Sequence, residues 1–503
     1  MRDAVESRDA GLYAPGSVVL ILALLTLARI AAAGHAGLTE DEAYYRLWAI
    51  VTAPAYYDHP PMVAWWIALG EWIGGDNALG VRLLGIWASL IGAVALWRTA
   101  FLLSGSVLTA GRAAIWLNAT PLIGIGSVLM TPDAPSTFFW GLTLWALVEL
   151  SRSGQAGWWA GIALFAGLGL LSKYTGLFLG AGIVLWLLAT REGRRWLMTP
   201  WPWLACLFAI GLFLPVIMWN MAHDWASFHK QFGRAAAESW NLKYLPEFIG
   251  AQIGLLNPLM VPFIGAGLVV AWRALRRGDA AIGLLLATSL PFLLYLLVHS
   301  LHARVQANWV APLYPAAALL AALAAERIQP RPGRVAGVLR GLALFVAPVG
   351  IAVGLFALVH AVSPVGGTVM KGDPTKQLRG WDELAATLAL KAQAAGASWI
   401  GTDSYGTTGE LAFHLKDNNL PVVQLGERIR YANLPVPDAA LLAEPALIVM
   451  LERRADPADL ARRFGDVQPL GTLERPNGHA RYQIYRVANP RPEGPLDPVT
   501  PRP

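Results

Sequence analysis

Charge is what this chain has least of. Of its 503 residues only 14% are Asp, Glu, Lys or Arg, while 55% are hydrophobic. A water-soluble globule of this length covers its surface with about 25% charged residues, so a membrane-embedded class is the leading expectation. Cysteine is nearly absent as well. Cys206 stands alone inside an apolar run, which rules out an internal disulfide and reads as packing. There is no repeat of fixed period and no glycine-rich phosphate loop. The net charge of +6 resembles that of a nucleic-acid binder. Most of the arginines, however, sit in short gaps between apolar runs, the positive-inside pattern of membrane proteins, so nucleic acid is not an expected partner. The chain is rich in tryptophan (22) and glycine (50). Tryptophan suits the membrane–water interface, and glycine lets spanning helices approach closely.

Apolar runs long enough for a ~30 Å hydrocarbon core recur at 17–33, 78–101, 108–127, 135–150, 157–171, 175–190, 202–220, 249–272, 280–298, 309–325 and 341–362. The expected fold is thus an α-helical polytopic membrane domain, 1–362, of about eleven spans. Arg2, Arg8, Arg98, Arg112, Arg152, Arg191, Arg194 and Arg195 mark one side, joined by Arg273, Arg276, Arg277, Arg327, Arg331, Arg334 and Arg340. That side is cytoplasmic by the positive-inside rule. The N-terminus then lies inside, and an odd number of spans places the C-terminus outside. Residues 363–488 read as a small extracytoplasmic α/β domain. Helices are expected at 381–395 and 409–416, and strands at 398–402, 421–425, 446–451 and 482–487. The proline-rich tail 489–503 is expected to be disordered.

Polar chemistry collects on the outer side. In the first outer loop, 34–77, the stretch Leu38-Thr39-Glu40-Asp41-Glu42-Ala43-Tyr44-Tyr45-Arg46-Leu47-Trp48 carries apolar residues Tyr44, Leu47, Trp48 and Val51 at helical spacing. This predicts an interfacial helix capped by Thr39, with Glu42 completing a capping box. Two readings stay open. The acids are first-turn residues that suit the helix dipole, or one of them is a general base on an acceptor hydroxyl. Next come Tyr56-Tyr57-Asp58-His59-Pro60-Pro61, whose prolines set an extended entry to a second interfacial helix. Asp58 is either an N-terminal cap or, with His59, a ligand for a divalent metal or a phosphate.

Taken together, the two stretches resemble the bacterial branch of the GT-C membrane glycosyltransferases, which includes protein O-mannosyltransferases and lipid A aminoarabinose transferases. The resemblance continues through Met130-Thr131-Pro132-Asp133-Ala134-Pro135, Leu171-Ser172-Lys173-Tyr174, Asn220 with His223-Asp224-Trp225, and Arg304-Val305-Gln306-Ala307-Asn308-Trp309. It reaches Asp373-Pro374 and Arg379-Gly380-Trp381. It implies an undecaprenyl-phosphate-linked sugar donor, inversion at the anomeric carbon, and an envelope lipid, glycan or protein as acceptor. The family's base falls on Asp41, with Glu42 beside it. The acid linked to metal or donor phosphate falls on Asp58, where the aminoarabinose enzymes carry Glu-Lys-Pro. His59 here removes a fixed positive charge.

A departing polyprenyl phosphate keeps its negative charge, so cations or a metal must stabilise it. Arg46, His59, Lys173 and Arg304 are the candidates, with Tyr57, Asp58, Asp133 and His223 as further donor or substrate contacts. The plain alternatives are that Lys173 and Arg304 snorkel to the interface, that Asp133 caps a helix, and that His223 bonds locally within its loop. A transporter of lipid-linked sugars is the competing class. Against it, the helices show no paired halves, and the charges gather in outer loops.

Overall fold

The computed structural model describes residues 11–233, 240–329, 332–367 and 372–499. Among these, six helical segments are each long and apolar enough to cross a bilayer: Pro15–His35, Ala78–Ser104, Trp201–Ala222, Ala280–His299, Ala307–Ile328 and Arg334–Val362. A seventh crossing is available if the pair Gly176–Ala189 and Arg191–Leu197, bent by 104°, counts as one span. Two of the eleven expected runs are broken. The run at 108–127 is two helices, Val107–Asn118 and Pro121–Gly126, and the run at 249–272 is likewise two, Tyr244–Leu255 and Val261–Arg276.

These breaks satisfy one another, as backbone inside an apolar medium must. Asn257, in the left-handed region at φ 70°, donates its side-chain amide to the carbonyls of Ala119 (3.2 Å) and Val346 (2.9 Å). Arg29, 2% exposed in the first spanning helix, donates to Asn118 Oδ1 at 2.9 Å and Ser89 Oγ at 3.2 Å. An apolar run hides such a residue, because one arginine barely alters the hydropathy of 21 residues.

The polar ends of the helices fall into two sets. At one end Arg152 pairs with Asp279 (3.3 Å), Arg98 with Glu149 (2.8 Å), and Ser151 donates to Glu192 (2.9 Å). At the other end lie the first loop, the segment Ala226–Gly233 and the C-terminal domain. The loop holds two short helices, Glu40–Ile50 and Met62–Gly74. The first is capped by Thr39 in a complete capping box with Glu42. The second exposes Trp65, Leu69, Trp72 and Ile73 along one face, as an interfacial helix does.

The C-terminal region carries a five-stranded sheet in the order β2-β1-β3-β5-β4. Its strands are β1 (Trp399–Thr402), β2 (Val422–Gln424), β3 (Ala446–Leu451), β4 (Phe464–Arg475) and β5 (Ala480–Pro490). β1 runs parallel to β2 and β3, while β5 pairs antiparallel with β3 and β4. β4 escapes sequence reading because Gly465, Pro469 and Gly471 argue against a strand. It is an edge strand with a register shift between Pro469 and Gly471, where proline is tolerated. The expected disorder from residue 489 onward is corrected up to residue 499. β5 extends to Pro490, Arg463 pairs with Asp497 at 2.9 Å, and the Asp497 amide donates to the Leu425 carbonyl at 2.9 Å. Residues 500–503 lie outside the described residues.

Candidate active site

The helix Glu40–Ile50 presents its three acids in three directions, which gives each a different chemistry. Glu42 points inward and is fully buried. Both of its oxygens meet Arg82, at 2.8 Å each, and it also accepts from the amides of Thr39 (2.9 Å) and Met130 (3.0 Å). Arg82 completes itself on the carbonyls of Ala33, Ala36 and Gly37. A carboxylate saturated this way has no lone pair to offer a substrate, so the catalytic expectation for Glu42 is corrected. It anchors the loop to the spanning helix Ala78–Ser104.

Asp41 faces outward. Its carboxylate lines a cavity of about 370 Å³. The walls are Gly85, Ala88, Ser89, Gly92 and Leu96 of one helix, Leu117, Leu122 and Ile123 of the broken helix, and Thr137, Phe138 and Gly141 of Asp133–Ser153. Polar groups gather among the rest of the lining: Thr39, Asp41, Thr131, Asp133, Asn308 and Gln377. Oδ1 of Asp41 accepts from the hydroxyl of Tyr405 at 3.1 Å, and no other hydrogen bond reaches this carboxylate among the described residues. Burial pushes its pKa above the ordinary carboxylate range. The Tyr405 hydrogen bond opposes the rise, and the neighbouring charges of Glu40, Asp58 and Glu42 add to it.

Asp133 also borders the cavity, at the first turn of its helix. It pairs with Lys173 Nζ at 2.6 Å and accepts from Asn308 Nδ2 at 2.7 Å, while Lys173 lies 5.9 Å from the Trp309 ring centre. The residues Asp133, Lys173 and Asn308, from three separate sequence stretches, thus form one polar cluster, of which Asp133 and Asn308 line the cavity.

Asp58 forms a second cluster. One oxygen pairs with Lys230; the other accepts from Arg430 at 2.6 Å and Tyr44 at 2.7 Å. Burial alone would raise its pKa, but Lys230 and Arg430 outweigh burial and hold it down at about 2. Tyr57 lies beneath both cations, with ring-centre distances of 4.1 Å to Lys230 and 5.6 Å to Arg430. His59 is half-buried, 6.1 Å from the Tyr45 ring. This donor set does not fit a metal at Asp58, since an ion there would have to displace two cations. Among the described residues no three His, Cys, Asp or Glu side chains converge.

Three expected contacts lie elsewhere. Arg46 is held by Glu71 (2.9 Å) and Asp76 (2.6 Å) and joins the two loop helices. Arg304 pairs with Glu247 at 2.5 Å, both exposed. His223 bonds the Trp219 carbonyl at 2.8 Å and stacks on that indole at 4.0 Å, ending a helix. In each case a partner satisfies the charge or ring away from the cavity. Conversely, Lys230, Tyr405 and Arg430 carry no sequence signal, because nothing in their local pattern reveals a partner hundreds of residues away.

Comparison with known proteins agrees with this architecture. The family described as dolichyl-phosphate-mannose-protein mannosyltransferase matches residues 58–219. The lipid A galacturonosyltransferase RgtD of Rhizobium johnstonii is 28% identical over 384 residues, covering 75% of this chain and 77% of the relative. The undecaprenyl phosphate-alpha-4-amino-4-deoxy-L-arabinose arabinosyl transferase of Edwardsiella ictaluri is 24% identical over 460 residues, covering 76% and 79%. In fold, the chain is similar to the crystal structure of ArnT from Cupriavidus metallidurans bound to undecaprenyl phosphate. The TM-score is 0.67 at 16% identity, covering 94% of this chain and 98% of that one.

Proposed function

We propose that the chain is a membrane glycosyltransferase of the GT-C superfamily and that it moves a sugar, a uronic acid, from a polyprenyl-phosphate carrier to lipid A. The observation that carries this reading is the cavity of about 370 Å³, apolar between the spanning helices and polar where Asp41, Asp133 and Asn308 line it. Such a cavity suits an isoprenoid chain inside and its phosphate and sugar at the polar groups. The 28% identity to a lipid A galacturonosyltransferase supports both the sugar class and the acceptor.

In the proposed reaction the acceptor oxygen attacks the anomeric carbon on the face opposite the phosphate. The C1–O bond to the carrier breaks, and its electron pair leaves with the phosphate. The configuration inverts, and the acceptor proton passes to Asp41 if the acceptor is a hydroxyl. A cavity-lining carboxylate of raised pKa, with one oxygen that takes no hydrogen bond among the described residues, suits that role. Lys173, beside Asp133, supplies positive charge near the leaving phosphate.

The arginine-bearing helix ends lie opposite the loop, which by the positive-inside rule supports a reaction on the outer face of a bacterial inner membrane with the N-terminus inside. Alkaline phosphatase fused after Val487 is expected to be active, and an inactive fusion would refute this sidedness. The function itself is tested by mass spectrometry of lipid A from a deletion strain and by purified protein supplied with polyprenyl-phosphate-linked galacturonate. Loss of a uronic acid from lipid A, with donor consumed in vitro, is expected. An unchanged lipid A together with an inert purified protein would sink the proposal.

A further inference from the structure

We propose that Tyr405 is a positioning residue for Asp41, delivered to the cavity by the seating of the C-terminal domain on the acidic helix. This rests on the transferase reading, in which Asp41 is the base.

The geometry fixes the phenol closely. Tyr405 opens the helix Tyr405–His414, with its ring 4.7 Å below the Arg430 guanidinium and 4.8 Å from the Tyr44 ring. Its hydroxyl is thereby held 3.1 Å from Asp41 Oδ1. Burial raises the pKa of this phenol, so it stays neutral and donates to the carboxylate. One oxygen of Asp41 is occupied and the carboxylate plane is set. Among the described residues the other oxygen takes no hydrogen bond and remains for the acceptor.

The seating depends on two glycines one turn apart. A Cβ on Gly409 would lie 2.6 Å from the Ala43 carbonyl carbon and the Tyr44 nitrogen, and one on Gly406 would lie 2.8 Å from Glu40 Cβ. A Cβ essentially never comes so close, so at Gly409 the two helices meet backbone to backbone because the position is glycine, while at Gly406 the backbone packs on the Glu40 side chain. Any larger residue lifts the helix and carries the Tyr405 hydroxyl out of reach.

The charges around Asp41 explain why a neutral donor is useful. Glu40 and Glu42 flank it, Asp58 lies behind it, and Asp133 faces the same cavity. The Arg430 guanidinium lies over the Tyr405 ring and pairs with Asp58 rather than with Asp41. Burial and these acids favour the protonated form, and the Tyr405 hydrogen bond opposes them by favouring the ionised one.

Infrared difference spectroscopy of the purified full chain reads the Asp41 carboxyl directly, with the band assigned by its loss in Asp41→Asn. Tyr405→Phe preserves the ring contacts and removes the donor. Its Asp41 midpoint is expected to move to higher pH by about one unit, the effect of losing one such hydrogen bond. The acid limb of kcat/KM for polyprenyl-phosphate-linked galacturonate should move with it, while donor KM holds. Gly409→Leu should shift the midpoint in the same direction. A midpoint unmoved in Tyr405→Phe overturns the positioning role, and one unmoved in a folded Gly409→Leu overturns delivery by seating. A moved midpoint in a protein that consumes no donor leaves the positioning role intact and refutes the transferase reading instead.

Discussion

Arg430 and Asp58 meet at 2.6 Å although 372 residues of chain separate them. Through that contact, and through Tyr405 on Asp41, the C-terminal domain becomes part of the first loop rather than an appendage. Without that domain Asp58 would keep Tyr44 and Lys230 but lose Arg430.

Asp58→Ala should be destabilising rather than selectively inactivating. It leaves Lys230 and Arg430 facing each other, both about nine-tenths buried, without their shared carboxylate. Breaking a buried pair costs about 3–5 kcal/mol. Thermal unfolding in detergent should show a clear loss of stability. A variant as stable as wild type would mean the cluster is solvated.

The same carboxylate sets an acid limit. Its folded pKa of about 2 lies below the ordinary value, so ionised Asp58 stabilises the folded form. A depressed carboxyl contributes fully above its unfolded pKa of about 3.9, and the contribution fades as pH falls towards the folded value. About 2–3 kcal/mol should therefore be lost progressively between about pH 5 and pH 1. Asp58→Asn should flatten that part of the stability profile, and an unchanged slope would place the acid transition on other groups.

Asp41 and Glu42 are adjacent in sequence and should give opposite phenotypes. Asp41→Asn keeps the shape, so the protein should fold normally while the rate drops ~10²–10⁴-fold with a hydroxyl acceptor. A phosphate acceptor is already ionised near neutral pH and would make the same variant nearly silent. Glu42→Gln should instead impair folding by about 3–5 kcal/mol, because Arg82 is left charged and buried. Yield and melting temperature, measured beside turnover, separate the two.

Lys173→Met should weaken donor handling about 5- to 150-fold, equivalent to about 1–3 kcal/mol. The reason is partly indirect, since it strips Asp133 of its cation and turns the cavity wall anionic. The double variant Lys173→Met with Asp133→Asn should recover part of that loss. If the double variant is no better than the single one, Lys173 acts on the phosphate alone.

Gly92 and Gly141 line the cavity, and a Cβ on either meets its nearest neighbour, Phe138 or Pro315, at ordinary contact distance. Gly92→Leu should therefore fold and fill the apolar space. Donor KM should rise for a long polyprenyl chain and much less for a short water-soluble analogue. Equal effects on both would show that the lipid does not lie there.

The sequence by itself determined the class and the local pieces. Low charge and long apolar runs impose a membrane domain, since nothing else can bury them. The capping box at Thr39 and Glu42 and the strands 399–402 and 446–451 are short-range patterns that local physics reads directly. Only the tertiary structure decided which acid is free. Asp41 and Glu42 are indistinguishable by composition, and they differ because a helix turns successive residues by about 100°, towards a cavity or towards Arg82. It also decided that Lys230, Tyr405 and Arg430 belong to the first loop. Their partners are set by which surfaces the fold brings together, and separation along the chain carries no record of that.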